Sequence, residues 1–258
     1  MKKTRNIRLA VAAMAMIAGT AGAAGAVEVV PTAQNAVGMT AGDWSAAWWQ
    51  YVLQIPLETN PAADSNGANC GVDQTAGPVF FLTGNFTGST AVTRYCSVPI
   101  GRTLVIPLVN AECSTLEPPP FYGANEKELR SCAASTIDAV DTASLQLTVD
   151  GVSVPALYKY RAQSPVFTFH VPAKNILGLK TGKKVGLSGT SGSAVSDGYW
   201  VLLKPLPPRP EPYTINFKGT IGAGSSAFTI DVTYVLSIQQ SAKLGTPRAQ
   251  LAETKPAR

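Results

Sequence analysis

The chain has 258 residues, 45% of them hydrophobic and 14% charged, enough for one large β-sandwich or two small domains. Its formal charge of +5 is carried by the start of the chain: four of the 21 basic residues and none of the 16 acidic ones lie within the first 26 positions, so the remainder stands at +1. Beyond that leader the longest basic run is Lys183-Lys184, beside Lys180. Without the clustered cations that phosphate contacts require, nucleic acid is argued against as a partner.

In chain order, Lys2, Lys3, Arg5 and Arg8 precede an apolar run from Leu9 to Ile17, and small residues then lead to Ala24-Gly25-Ala26. This is the three-part pattern of a secretory signal peptide over residues 1–26, cut after Ala26 or, second best, after Ala23. The apolar run is too short to cross a hydrocarbon core of about 30 Å. No cysteine follows the cut to carry a lipid, and no later segment reaches a membrane-spanning length of apolar residues. The mature chain is therefore predicted to be secreted or periplasmic, with no transmembrane segment.

Residues 27–42 are predicted as an N-terminal arm, 43–238 as a single β-sandwich domain and 239–258 as a polar, mobile tail. A helix is predicted over Ala41–Gln54, with Thr40 and Asp43 at capping-box spacing and Pro56 as its stop. Trp44, Trp48, Tyr51, Val52 and Ile55 form its apolar stripe. After a polar loop over 59–77, strands are predicted at 78–82, 91–98 and 102–109, with Pro107 marking an edge or a bulge. Pro118-Pro119-Pro120 reads as rigid loop, and a second helix starts at Asn125 with Glu128 in the third helical position. From Ser144 the apolar period changes to two, and Asp150-Gly151 signals a hairpin. Further strands fit 166–171, 183–187, 198–203, 213–218 and 228–238, the last placing Phe228, Ile230, Val232, Tyr234, Leu236 and Ile238 on one face. The fold class is mainly β, an antiparallel β-sandwich, of which a jelly roll is one form, with two short helices.

Cys70, Cys96, Cys113 and Cys132 make an even set in an exported chain, which favours two disulfides over free thiols. Of three pairings, Cys70 with Cys96 and Cys113 with Cys132 is preferred because it closes the shorter loops. Zinc takes its cysteines in close pairs, whereas these are 26, 17 and 19 positions apart. No metal and no cofactor is predicted.

Candidate chemistry is sparse. His170 is the only histidine and falls on the strand face opposite Phe167 and Phe169, and the Gly186 to Ser193 stretch never forms the G-x-S-x-G elbow. Paired carboxylates would serve glycoside hydrolysis. Glu58, Asp64, Asp73, Glu112, Asp138, Asp141 and Asp197 are available, with Glu112 the best single candidate because a disulfide at Cys113 would fix its loop. Asp64, Asn66 and Asp73 resemble a calcium loop in composition but lack the EF-hand pattern and its closing glutamate. The cluster Trp44, Trp48, Trp49 and Tyr51 is first a packing stripe, while Trp49, just off it, and Tyr51 would make a sugar-stacking platform if exposed beside the 64–73 loop. The predicted ligand-binding set is thus Trp49, Tyr51, Asp64, Asn66, Asp73 and Glu112.

Several segments carry a resemblance. Trp44 with Trp48-Trp49, Gly71-x-x-Gln74 after Cys70, Gly77-Pro-Val-Phe-Phe-Leu-Thr-Gly84, Arg94-x-Cys96-x-Val-Pro99-x-Gly101, Ile106-Pro-Leu-x-Asn110 and Asp197-Gly-Tyr-Trp-Val-Leu-Leu-x-Pro-Leu206 resemble a group of exported microbial β-rich proteins of unassigned function, over roughly Trp44 to Ile238. The group often carries Pro-Pro-Gly-x-His-x-Ile before a strand, where this chain has Pro207-Pro208-Arg209-Pro210-Glu211-Pro212-Tyr213-Thr214-Ile215. The resemblance implies export and a shared fold, and no histidine-dependent activity. The expectation is an exported, disulfide-bonded β-sandwich that binds an extracellular polymer, glycan or surface protein, or has a structural role there, without catalysis. A secreted hydrolase of glycan or other polymer using paired carboxylates is the alternative.

Overall fold

The structure, a computed structural model, describes residues 27–32, 34–86, 90–180 and 190–239. The predicted leader, the strand expected at 183–187 and all but the first residue of the expected tail lie outside the described residues.

Helix α1 (Ala41–Gln54) starts where its capping box sets it, with the Thr40 hydroxyl accepting from Asp43 N and the Asp43 carboxylate accepting from Thr40 N. Helix α2 (Glu126–Asp138) is capped by Asn125, whose side chain accepts from Glu128 N at 3.1 Å. Ten strands follow the alternating segments: β1 (Val79–Phe81), β2 (Val92–Pro99), β3 (Thr103–Ser114), β4 (Val140–Val149), β5 (Val152–Ser153), β6 (Arg161–Gln163), β7 (Phe167–Val171), β8 (Thr190–Leu203), β9 (Tyr213–Ile221) and β10 (Phe228–Gln239). The Asp150-Gly151 hairpin forms, with both residues at positive φ and Val149 opposite Val152.

The strands make a sandwich of two five-stranded sheets. One runs β1-β3-β8, with β6 and β7 both along the far side of β8, and the other runs β2-β10-β9-β4-β5. Each contains one parallel pair, β1 with β3 and β2 with β10, where an antiparallel arrangement was expected. The reason is connectivity: β2 lies in the opposite sheet, so the chain returns from it to the first sheet running in its original direction. Pro107 sits at a bulge between β1 and β8 on a central strand, since pairing of β3 with β8 shifts register between Pro107 and Val109. Strand β3 also continues to Ser114, past its predicted end. The stretch Asn110 to Ser114, whose only apolar residues are the small Ala111 and Cys113, is held in register by Gly198 to Ala194 of β8.

The first sheet is covered on both faces, which is why β3 and the C-terminal part of β8 read as continuous apolar runs. Leu104, Ile106, Tyr199, Val201 and Leu203 face Ile215, Phe217, Val232 and Tyr234 of the second sheet. The opposite face, with Val105, Trp200 and Leu202, receives Trp44, Trp48 and Val52 of α1. Gly42 permits this docking, because a Cβ there would collide with the Gln163 carbonyl of β6. Val29 adds a bridge to Leu203, so the start of the predicted arm lies along the sheet.

Two disulfides join Cys70 to Cys96 and Cys113 to Cys132, the latter tying α2 to β3. No described helix is long and apolar enough to cross a membrane. These features fit an exported, disulfide-bonded protein.

Candidate functional site

At one end of the sandwich a cleft of about 390 Å³ opens between α1, the segment after β1, the end of β3 and the β9–β10 hairpin. Aromatic rings form part of its wall. Trp49 comes from α1, where it stands edge-on to Trp48 at 5.1 Å and to Phe86 at 5.8 Å. Phe228 enters from the start of β10, and Phe121, 38% exposed, forms the rim.

The polar part of the cleft comes from β3 and the turn that ends it. Glu112 is buried beside Asn110 and Ala111. Two residues on, Ser114 closes the strand: its hydroxyl accepts from Glu117 N at 3.2 Å and donates to Glu117 Oε2 at 2.9 Å, bringing Glu117 into the same cleft. The disulfide at Cys113 anchors the strand between the two acids.

Neither oxygen of Glu112 has a donor to accept from. Its polar neighbour is the Glu117 carboxyl, and two ionised carboxyls cannot hydrogen-bond each other until one takes a proton. Burial pushes the Glu112 carboxyl well above the usual carboxylate range, and the charge of Glu117 and the hydrogen bond to it raise it further. Glu117 is raised too, again by burial, but hydrogen bonds from Glu112 and Ser114 hold it back. Both carboxyls are therefore shifted in the same direction, Glu112 the more strongly. A third polar group, Trp49 Nε1, is buried on the same cleft without an acceptor. Buried polar atoms without partners are rare in folded proteins.

A stability prediction follows from the direction of the Glu112 shift. A carboxyl that binds its proton more tightly when folded lowers stability by about 1.4 kcal/mol per pH unit as pH rises from about 4.3, its unfolded value, to its folded value, and by no more beyond. Glu112→Gln cannot ionise and offers Glu117 an amide donor. It is expected to exceed the wild type in urea midpoint at about pH 7 and to match it near pH 4. A variant less stable than wild type at neutral pH would show that ionised Glu112 is compensated in the fold.

The structure divides the predicted ligand-binding residues. Trp49 and Glu112 share the cleft. Tyr51 points elsewhere, its hydroxyl bonded to Val72 O at 2.9 Å and to Gln74 Nε2 at 3.0 Å, and it borders a separate shallow groove near His170. The exposed platform envisaged for Trp49 and Tyr51 does not form, because both are buried, at 3% and 2% exposure. Packing against Trp48 and Phe86 claims Trp49, and Phe81 claims Tyr51. Asp64 and Asn66 serve their own loop: Asp64 accepts from Asn66 N and Asn69 N, and Asn66 accepts from Ala68 N. Asp73, at φ 48°, lies on this loop and outside the cleft. Among the described residues no cluster of three metal-ligating side chains occurs.

The remaining acids are mostly engaged with cations or backbone. Glu58 pairs with Lys174, Asp138 and Asp197 both pair with Arg161, and Asp141 accepts from Ala143 N. His170 is exposed, with Nδ1 at 3.3 Å from Ser191 Oγ.

Sequence reasoning missed Glu117, Phe86, Phe121 and Phe228 as cleft residues. The first had a signal in the Ser114-x-x-Glu117 spacing, at which a serine hydroxyl meets the backbone three residues on. The aromatic residues come from two loops and a strand end and had none. No protein-family model, curated protein or solved structure matches the chain.

Proposed function

We propose that the protein is exported by cleavage of its leader, is secreted or periplasmic, and binds a hydroxylated ligand in the aromatic cleft without turning it over. The ligand class is that of an extracellular polymer or glycan end, and a surface glycoprotein would present the same chemistry. We also place the chain with the exported microbial β-rich proteins that its sequence resembles. One observation carries the binding reading: orphaned acceptors on Glu112 and an orphaned donor on Trp49 border one aromatic cleft. A ligand bearing hydroxyls supplies partners to both, and aromatic walls suit the C–H faces of a sugar ring.

The geometry supports binding over glycoside hydrolysis. Hydrolysis of a glycosidic bond sets its two carboxyls about 5 to 9.5 Å apart, with the sugar or a water between them. Glu112 and Glu117 instead both come from the end of β3 and the turn that follows it, rather than from two sides of the cleft.

Trp49→Phe tests the reading, because it keeps an aromatic ring on the wall while removing the unpartnered N–H together with the five-membered part of the indole. The variant is expected to stay folded with a modestly lower melting temperature, from the cavity left at a buried site, and to lose about fivefold to tenfold in retention on the bound glycan, the worth of one hydrogen bond. Unchanged retention would remove Trp49 from the site, and released sugar products would overturn the non-catalytic assignment.

A further inference from the structure

We propose that the cleft takes a hydroxylated primary ammonium, the chemistry of an amino sugar, with the ammonium seated on the Glu112–Glu117 carboxyls and a ligand oxygen on Trp49 Nε1. This rests on the cleft being the binding site and goes beyond it by naming the ligand's class.

Charge is the first argument. Among the described residues that border the cleft, Glu112 and Glu117 are the only charged groups, and no lysine, arginine or histidine accompanies them. Elsewhere in the fold buried acids have partners, as Asp197 does in Arg161 at 3.0 Å. Two carboxyls side by side with no cation on the cleft make a site whose negative charge an ammonium balances and a carboxylated or phosphorylated ligand would oppose.

Hydrogen-bonding capacity is the second. The two Glu112 oxygens, 4% exposed as a residue and without a donor, face a demand that a group with several N–H donors meets best. An ammonium presents three. Trp49 Nε1 sets the opposite demand, since it needs an acceptor that an ammonium lacks and a sugar hydroxyl or ring oxygen provides. The pair of orphans thus selects a molecule with both groups.

The walls are the third. The faces of Trp49, Phe86, Phe121 and Phe228 attract an organic cation and suit the C–H face of a pyranose ring. A bare divalent ion finds only two carboxyls here and no third ligating side chain among the described residues. At about 390 Å³ the cleft is near the small end of the range for ligand pockets, about 300 to 1,000 Å³, which fits a chain end or a single sugar unit.

The experiment is calorimetric titration of the full mature chain, at a pH where the amine is protonated, with glucosamine and its β-1,4 oligomers, glucose, N-acetylglucosamine, tetramethylammonium and calcium. Glucosamine or its oligomers are expected to bind about tenfold tighter than the neutral sugars. Glu117→Gln, at a partly exposed position, is expected to level the two, and Phe121→Ala on the rim to weaken all sugars without lowering the melting temperature. If glucose or N-acetylglucosamine binds as well as glucosamine, and Trp49→Phe weakens both, the ammonium assignment is overturned while the cleft stands as the binding site. Equal binding of tetramethylammonium would overturn the need for hydroxyls, as would Glu117→Gln without effect on the amine preference. Calcium binding without sugar binding, or no binding of any probe, would overturn this assignment and the cleft reading together.

Discussion

Arg94→Met is expected to lower the unfolding free energy by about 3 to 5 kcal/mol, measured as a lower urea midpoint at unchanged slope. Arg94 is fully buried on β2, and no carboxylate pairs with it among the described ion pairs. Its guanidinium is satisfied instead by backbone. Nε donates to Asp64 O at 2.8 Å, and Nη1 donates to Thr83 O at 2.7 Å and to Gly84 O at 3.0 Å, with the Tyr234 hydroxyl also at 3.0 Å. Methionine fills much of the volume but takes the guanidinium donors from Asp64 O and Gly84 O and leaves Thr83 O to the Tyr234 hydroxyl alone, each buried carbonyl left unsatisfied costing about 1 to 3 kcal/mol. Arg94→Lys retains a cation without the fork and is expected to recover only part of the loss. Since Thr83 and Gly84 lead directly to Asn85 and Phe86, the same variant is expected to weaken ligand binding at the cleft. A methionine variant within about 1 kcal/mol of wild type would mean that water replaces the guanidinium at these carbonyls.

Trp48→Ala is the second large effect, about 3 to 5 kcal/mol and a melting temperature lower by roughly 10 °C. Trp48 has no exposed surface. It sits edge-on to Trp49 at 5.1 Å and to Trp200 at 5.5 Å, and its Nε1 donates to Leu82 O at 2.7 Å. Alanine therefore opens a cavity between α1 and the first sheet and strands a carbonyl as well. Trp48→Phe separates the two contributions, since it restores ring contact but not the donor, and should fall between alanine and wild type in thermal melting. An alanine variant that melts with the wild type would require α1 to collapse onto the sheet without loss.

The parts of this fold written locally were legible before the structure. The capping box at Thr40 and Asp43, the Asn125 cap and the Asp150-Gly151 turn each place their chemistry within three residues of one another, and each appears where its spacing sets it. The disulfide pairing follows the same short-range logic. The parallel pairs were not legible, because strand direction depends on which sheet the intervening strand joins. Nothing local to β2 marks Arg94 as buried, since its burial comes from carbonyls contributed by residues 62 to 84 and a hydroxyl from Tyr234. Glu112 was singled out, but its partner was not, since Glu117 reaches the cleft through a turn beyond the strand. The aromatic walls are assembled across more than a hundred residues of sequence, from Trp49 to Phe228.

The pairing of β2 with β10 reaches further than architecture. Val92 lies beside Val232 and Val98 beside Ile238, while β1 and β3 depend on β8 from the other half of the chain. The first sheet and the β4–β5 and β4–β9 pairs can form from upstream strands alone, but β2 lacks its neighbour until β10 follows, and a loop of this length makes the search slow. The second sheet is thus the last part of the fold to be completed, and in the chain we propose to be exported it leaves the β2 edge open until β10 arrives.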